Sequence, residues 1–229
     1  WDVLLVLDTC RPDVLQEVQE EYDFLPKQVP SHDSVASTSW EWMEKTFQQR
    51  YKDKISETTY ICSNAYAEQF DEEMPVSETQ FEKVDPVWKY GWSPEVGHVD
   101  PGVLTRRTIH EMRTNNPQRL IVHFMQPHSP YRSLPSVEEE QGTIWDLLSM
   151  GVISVETAWE AYKDNLRWVL DEVEILLQNI EADTVVLTSD HGESFGSWGF
   201  YGHHRHVPLS VLREVPWVVT SGVDNQTCS

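Results

Sequence analysis

Val3-Leu4-Leu5-Val6-Leu7-Asp8-Thr9-Cys10-Arg11-Pro12-Asp13 opens with five aliphatic residues that stop at a carboxylate. A strand with one wet face alternates polar and apolar positions. An unbroken apolar run suits a strand covered on both faces, as in a parallel sheet. Three more runs have this form. Residues 58–62 run into Ser63-Asn64, 120–124 into Gln126-Pro127-His128, and 184–188 into Ser189-Asp190-His191.

Helical spacing fills the gaps between the runs. Across 155–180, Trp159, Tyr162, Leu166, Val169, Val173, Leu176 and Ile180 recur at three- and four-residue steps. A second helix is predicted over 39–50, with Trp40, Met43 and Phe47 on one face, and a third near 102–113. Residues 68–101, rich in Pro, Trp and acid, read as a surface excursion. Alternating strands and helices predict an α/β fold with a central, mainly parallel sheet in one domain, 1–229, incomplete at both ends.

The 229 residues carry 17 basic and 38 acidic side chains, a formal charge of −21. Such a surface argues against nucleic acid or an anionic membrane as partner. No apolar run reaches the roughly 18 residues of a membrane span. The acid is spread along the chain and Lys is scarcer than Arg, as in proteins of salt-accumulating halophiles; an ordinary acidic protein is the alternative. Cys10, Cys62 and Cys228 form no CxxC pair and are too scattered for a disulfide framework, so reduced thiols in a cytoplasm are expected.

In open α/β sheets ligands bind beyond the carboxyl ends of the strands. Three of the four runs end there in metal- or oxyanion-binding types: Asp8, His128, and Asp190 with His191. Each has a structural reading too, as a helix cap, a satisfied loop histidine or a polar turn. Three chain-distant strand ends of this kind point jointly to a hard divalent cation.

These residues carry a resemblance. The segment Val3–Asp13 resembles the opening strand and metal-binding Asp of sulfatase-like members of the alkaline phosphatase superfamily. His123-Phe124-Met125-Gln126-Pro127-His128-Ser129-Pro130-Tyr131 is similar to that family's PHxPY loop, and Thr188-Ser189-Asp190-His191-Gly192-Glu193 to its second metal motif. The chain also resembles haloarchaeal sulfatase-like proteins, which would fit the acidic surface. The resemblance implies a three-layer α/β sandwich with one divalent cation (Zn, Mn, Ca or Mg) held by Asp8, Asp190, His191 and a nucleophile. It implies as substrate a small-molecule, glycan- or lipid-linked phosphate or sulfate ester. His128 and His203 would stabilise the oxyanion or protonate the leaving group.

The nucleophile is expected at a helix N-terminus within Ser34-Val35-Ala36-Ser37-Thr38-Ser39-Trp40-Glu41-Trp42-Met43-Glu44-Lys45-Thr46-Phe47. The family's spacing puts it on Ser39. Thr38-Ser39-Trp40-Glu41 reads as a capping box, with Thr38 engaged by backbone and Glu41 reaching back. Ser39 then lies in the first turn, among N–H groups that favour an anion. Thr38 is the alternative nucleophile, and plain helix capping the alternative role. Arg11, Tyr131 and His204 are weaker candidates for substrate contact; for Arg11 and Tyr131 a salt bridge or packing competes.

The match departs from sulfatases at Thr9, where a second acid is usual, and after Ser39, where Pro and Arg direct conversion to formylglycine. A sulfuric ester hydrolase on sulfated glycans and an inactive, metal-stabilised module for anionic glycans are therefore the competing readings. Gly192-Glu193-Ser194-Phe195-Gly196 matches the G-x-S-x-G elbow of α/β-hydrolases. Asp190 and His191 intervene between strand and motif, however, and the Asp-then-His order is missing.

Overall fold

The computed structural model describes residues 1–134 and 142–228. Strands β1 (Val3–Leu7), β2 (Ser31–Asp33), β3 (Thr58–Cys62), β4 (Lys83–Pro86), β7 (Arg119–Phe124), β8 (Ala182–Thr188) and β11 (Glu214–Gly222) form a seven-stranded sheet. Between them in the chain lie two short ribbons, β5 (Trp92–Ser93) with β6 (His98–Val99) and β9 (Ser194–Ser197) with β10 (Phe200–Gly202). The order across the main sheet is β2-β11-β8-β1-β7-β3-β4. The five strands from β8 to β4 are mutually parallel, and β11 runs antiparallel to β8 and to β2.

The four apolar runs are the four central parallel strands, and their side chains divide by parity. Val3, Leu5 and Leu7 of β1, Leu120, Val122 and Phe124 of β7, and Val185 and Leu187 of β8 join one core. That core also holds Val14, Leu104, Leu166 and Val169, from helices Pro12–Val18, Pro101–Asn115 and Val155–Leu177. Leu4 and Val6, Ile121 and Val186 point the other way, to Trp42, Met43, Phe47, Phe70 and Phe81. Two apolar faces per strand are what an unbroken hydrophobic run encodes.

Three expectations change. The helix 39–50 is Ser39–Thr46 followed by a 3₁₀ turn, and its buried face is Trp42 and Met43. Trp40 leaves that face, and its ring stacks under the Arg205 guanidinium, 3.8 Å from the centroid. Residues 68–101 are more than a surface excursion: they supply edge strand β4 and bury Phe70, Val76 and Phe81. The long helix ends at Leu177, leaving Ile180 to pack from the following turn.

Because β1, β3, β7 and β8 are parallel, Asp8, Asn64, His123, His128 and Asp190 are delivered to one edge of the sheet. Among the described residues no helix is long and apolar enough to cross a membrane.

Candidate active site

Asp8 follows β1 and is buried, with Oδ2 accepting from the Asn64 amide at 3.1 Å. The next residue, Thr9, has φ +68, rare for a β-branched residue. This turn aims its N–H at Asp190 Oδ1, 3.3 Å away, while its carbonyl accepts from the Tyr162 hydroxyl at 2.5 Å. Asp190 follows β8 and also takes the His191 N–H on Oδ1, at 2.9 Å. One oxygen of each carboxylate, Asp8 Oδ1 and Asp190 Oδ2, is buried without a hydrogen-bond partner. Between them stands His191 Nε2, 3.6 Å from the first and 3.5 Å from the second. Its other nitrogen, Nδ1, lies 2.8 Å from the Gly192 carbonyl, so Nδ1 carries the hydrogen and the Nε2 lone pair faces the carboxylates.

Ser39 completes the group. Its hydroxyl donates to Asp8 Oδ2 at 3.1 Å and lies 3.3 Å from His191 Nε2. Thr38 is the N-cap, accepting the Glu41 N–H on Oγ1 at 3.3 Å, so Thr38 turns to the backbone and Ser39 to the carboxylates. Glu41 reaches back one residue further than a capping box requires, accepting the Ser37 N–H at 3.0 Å.

The electrostatics are those of a cation site. Burial, and then the Asp190 charge, raise the Asp8 carboxyl from 3.8 to about 8. Burial acts the same way on Asp190, but His191 and His123 outweigh it and hold that carboxyl well below its ordinary range. Burial lowers His191 to about 4, leaving it neutral. Two buried carboxylates, two orphaned oxygens and an inward imidazole lone pair are the donor set of a hard or borderline divalent ion. The residues fit such an ion.

The sequence reading missed three residues here. His123, fully buried within β7, has Nε2 3.5 Å from Asp190 Oδ2 and Nδ1 2.9 Å from the Tyr60 hydroxyl. Asp8, His123 and Asp190 are close enough to hold a metal together, and so are His128, Glu193 and His203. Asn64 and Glu193 had only strand-end or motif positions to mark them.

In the second group His203 Nδ1 lies 3.0 Å from both oxygens of buried Glu193. Burial alone would lower His203, but the Glu193 charge and hydrogen bond raise it to about 9. Paired in this way, the imidazolium is a hydrogen-bond donor. The His203 ring is 4.4 Å from that of His191 and 5.3 Å from that of His128. Burial, then His203, lower the His128 imidazole.

The weaker candidates lie around this group. His204 is exposed with its ring 5.1 Å from Phe200, so His203 and not His204 meets His191. Arg11 donates to the Glu193 carbonyl at 3.0 Å, pairs with Asp13 and covers Trp159, so its contacts are a salt bridge and packing. Tyr131 is buried in the core beside Tyr162. Ser194 spends its hydroxyl on the Phe200 carbonyl at 2.6 Å from within β9, so the G-x-S-x-G stretch is a strand and no elbow.

A mixed sheet sandwiched by helices, with carboxylates, histidines and a helix-start hydroxyl at the carboxyl edge, defines the alkaline phosphatase superfamily architecture. The family model described as Sulfatase matches residues 36–221, and the chain belongs to that family. No curated protein matches the chain.

Among solved structures it is similar to the integral membrane lipooligosaccharide phosphoethanolamine transferase A (EptA) of Neisseria meningitidis, with a TM-score of 0.67 at 16% identity. That likeness covers 98% of this chain and 48% of the Neisseria protein, so the chain spans about half of that relative's length. The periplasmic domain of EcEptC from Escherichia coli, solved as a complex with zinc, matches with a TM-score of 0.54 at 12% identity, over 98% and 73% of the two chains. The lipoteichoic acid synthase LtaP of Listeria monocytogenes matches with a TM-score of 0.54 at 12% identity, over 97% and 66%.

Proposed function

We propose that the protein cleaves phosphate esters through Ser39, with a divalent cation held by Asp8, Asp190, His191 and Ser39, and passes the phosphoryl group to water or an alcohol. The observation that carries this is Ser39 Oγ, 3.1 Å from Asp8 and 3.3 Å from His191, beside two orphaned carboxylate oxygens. A bound cation would lower the hydroxyl pKa and polarise the substrate's phosphoryl oxygen. The names of EptA, a lipooligosaccharide phosphoethanolamine transferase, and of LtaP, a lipoteichoic acid synthase, support a phosphoester on a glycan or lipid alcohol.

The chain's own groups divide the remaining work. Ser39 Oγ forms a bond to phosphorus as the ester P–O bond breaks, and the hydroxyl proton passes to Asp8 Oδ2, to which it already donates. His203 gives a proton from its free nitrogen to the departing alkoxide, and Glu193 stabilises the imidazolium beforehand. In the second half, water or the acceptor alcohol attacks the phosphoserine and leaves its proton on His203. Ser39 departs and recovers its proton from Asp8. His128, with its ring 5.3 Å from that of His203, would stabilise the oxyanion beside it.

The test is turnover of p-nitrophenyl phosphate, bis-p-nitrophenyl phosphate and p-nitrophenyl sulfate with Zn, Mn, Mg or Ca. Phosphoester turnover removed by chelator and by Ser39→Ala is expected. No turnover with any of the four metals would leave the inactive binding module as the better reading.

A further inference from the structure

Nothing in the proposed mechanism uses Glu41, yet it is a carboxylate buried at 2% exposure two residues from the nucleophile. Helix capping does not exhaust it. Oε2 accepts the Ser37 N–H at 3.0 Å and the His206 N–H at 3.2 Å, and Oε1 meets His206 Nδ1 at 3.0 Å and pairs with Lys45. Two neighbours on the same segment bridge the same gap. Ser37 Oγ donates to the His204 carbonyl at 2.7 Å and accepts the Val207 N–H at 3.1 Å. Arg205 lies over the Trp40 ring at 3.8 Å. All four residues from His204 to Val207 are thus fastened to the start of the nucleophile helix, across more than 160 positions of chain. His206 holds a left-handed φ of +63 in the middle of the fastened loop.

We infer that Glu41 is a positioning residue: with Ser37 and Trp40 it clasps the loop that follows His203 to the helix that begins at Ser39, and so sets the nucleophile and the proton donor at working distance. The physical reason is the arrangement of supports. His203 follows directly on β10 and is held by Glu193, and the loop beyond it is held by these contacts to the helix start, whereas Ser39 is fixed by its helix and by Asp8. A buried carboxylate accepting several N–H groups from both partners is a stiff joint, because each unmade bond would strand a buried polar group. Displacements near 1 Å between reacting groups cost up to about 10²-fold in rate.

This inference rests on reading Ser39 and His203 as nucleophile and acid, and its test separates the two claims. Glu41→Gln keeps the shape and removes the charge. His206→Ala removes the Nδ1 contact to Glu41 Oε1 from the exposed side of the clasp, where folding is not at stake, and loosens the joint while the His206 N–H stays in place. Lys45→Ala removes a Glu41 partner without touching the loop. In metal-free protein with labelled histidines, the clasp predicts that the nuclear Overhauser effect between the His191 and His203 rings weakens in Glu41→Gln and His206→Ala and is unchanged in Lys45→Ala.

On p-nitrophenyl phosphate with zinc, both clasp variants should lose kcat, Glu41→Gln by about tenfold, with KM and zinc affinity within about twofold. The double variant should be no slower than Glu41→Gln alone, as expected of two residues acting through one joint. An unchanged ring contact in Glu41→Gln and His206→Ala would overturn the inference, as would a kcat that falls only with the folded fraction. If Glu41→Gln does not fold, His206→Ala alone decides. A wild type without turnover would sink the proposed function only, and the ring contact would still decide for or against the clasp.

Discussion

Ser39 and Asp8, thirty-one positions apart in the chain, are joined by a hydrogen bond of 3.1 Å from hydroxyl to carboxylate. Thr38, beside Ser39, is instead bonded to the Glu41 N–H as a helix cap. Single substitutions should therefore part the two roles cleanly. Ser39→Ala is expected to lower phosphoester turnover by about four orders of magnitude or more while leaving the fold intact. Thr38→Ala should cost about 1 kcal/mol of stability, the usual worth of a cap, and leave turnover within a few-fold. Denaturant titration beside single-turnover kinetics checks both. The reverse pattern would move the nucleophile to Thr38.

Metal removal has a calculable signature. Asp8 is pushed up to about 8 by burial and by the Asp190 charge, so the metal-free site is electrostatically unfavourable at neutral pH. An ion bound only by the folded state adds about 2.7 kcal/mol at a concentration one hundred times its Kd. Zinc should therefore raise the Tm of the wild type and chelator reverse it. In Asp190→Ala the shift should disappear. A full zinc-induced shift in that variant would show that the ion sits elsewhere.

The Glu193–His203 pair sets a pH dependence whose sign can be worked out. The folded-state pKa of His203 is about 9, above its ordinary 6.5. The stability it contributes is fully present below 6.5 and is lost as pH rises through 9. As a proton donor it predicts a fall in kcat near pH 9. Glu193→Gln removes the charge that holds the proton, and burial then lowers the imidazole, so the alkaline limb should move down by more than one pH unit. Parallel carbon-13 titration of the His203 ring identifies the group. A limb that does not move in Glu193→Gln would assign it to another residue.

How much of this was legible beforehand depends on what each residue needs from the rest of the chain. Asp8, Asp190 and His191 stand directly after apolar runs, and a parallel sheet puts such ends on one edge whatever the loops do. Ser39 was legible because capping is local: Thr38 and Glu41 mark the helix start. His123 was hidden by its own strand, since one polar residue within an apolar run says nothing about which face it occupies. β-Strand parity sends it, with Ile121, toward Trp42 and Tyr60. Glu193 and Glu41 gain their meaning from loops that return more than 150 positions later or from a histidine ten residues on, contacts no local pattern encodes. β11 was missed because its burial is interrupted by exposed Trp217 and Val219, unlike the central strands.

The last prediction concerns the atom attacked. Sulfatases turn over through an aldehyde hydrate, which expels sulfate by collapse and needs no water to attack a sulfated enzyme. Ser39 is followed by Trp40-Glu41-Trp42, not by the Pro and Arg that mark a residue for that conversion. The Glu41 carboxylate in this stretch is moreover committed to Ser37, Lys45 and His206. An unmodified hydroxyl is expected, and a serine alkoxide suits phosphorus. The transferring phosphoryl group carries more charge than a sulfuryl group, so it gains more from a cation and from the His203 imidazolium. The phosphoserine formed can then pass to water or to an alcohol. Intact-mass and peptide mass spectrometry should find serine at position 39, and a trapped intermediate should add a phosphate there. Phosphate mono- or diesters should turn over at least about tenfold faster than p-nitrophenyl sulfate, a margin of about 1.4 kcal/mol at the transition state. Formylglycine at position 39, or sulfate esters as the faster substrates, would overturn the preference for phosphorus while leaving Asp8, Asp190 and His191 as the proposed protein ligands of the cation.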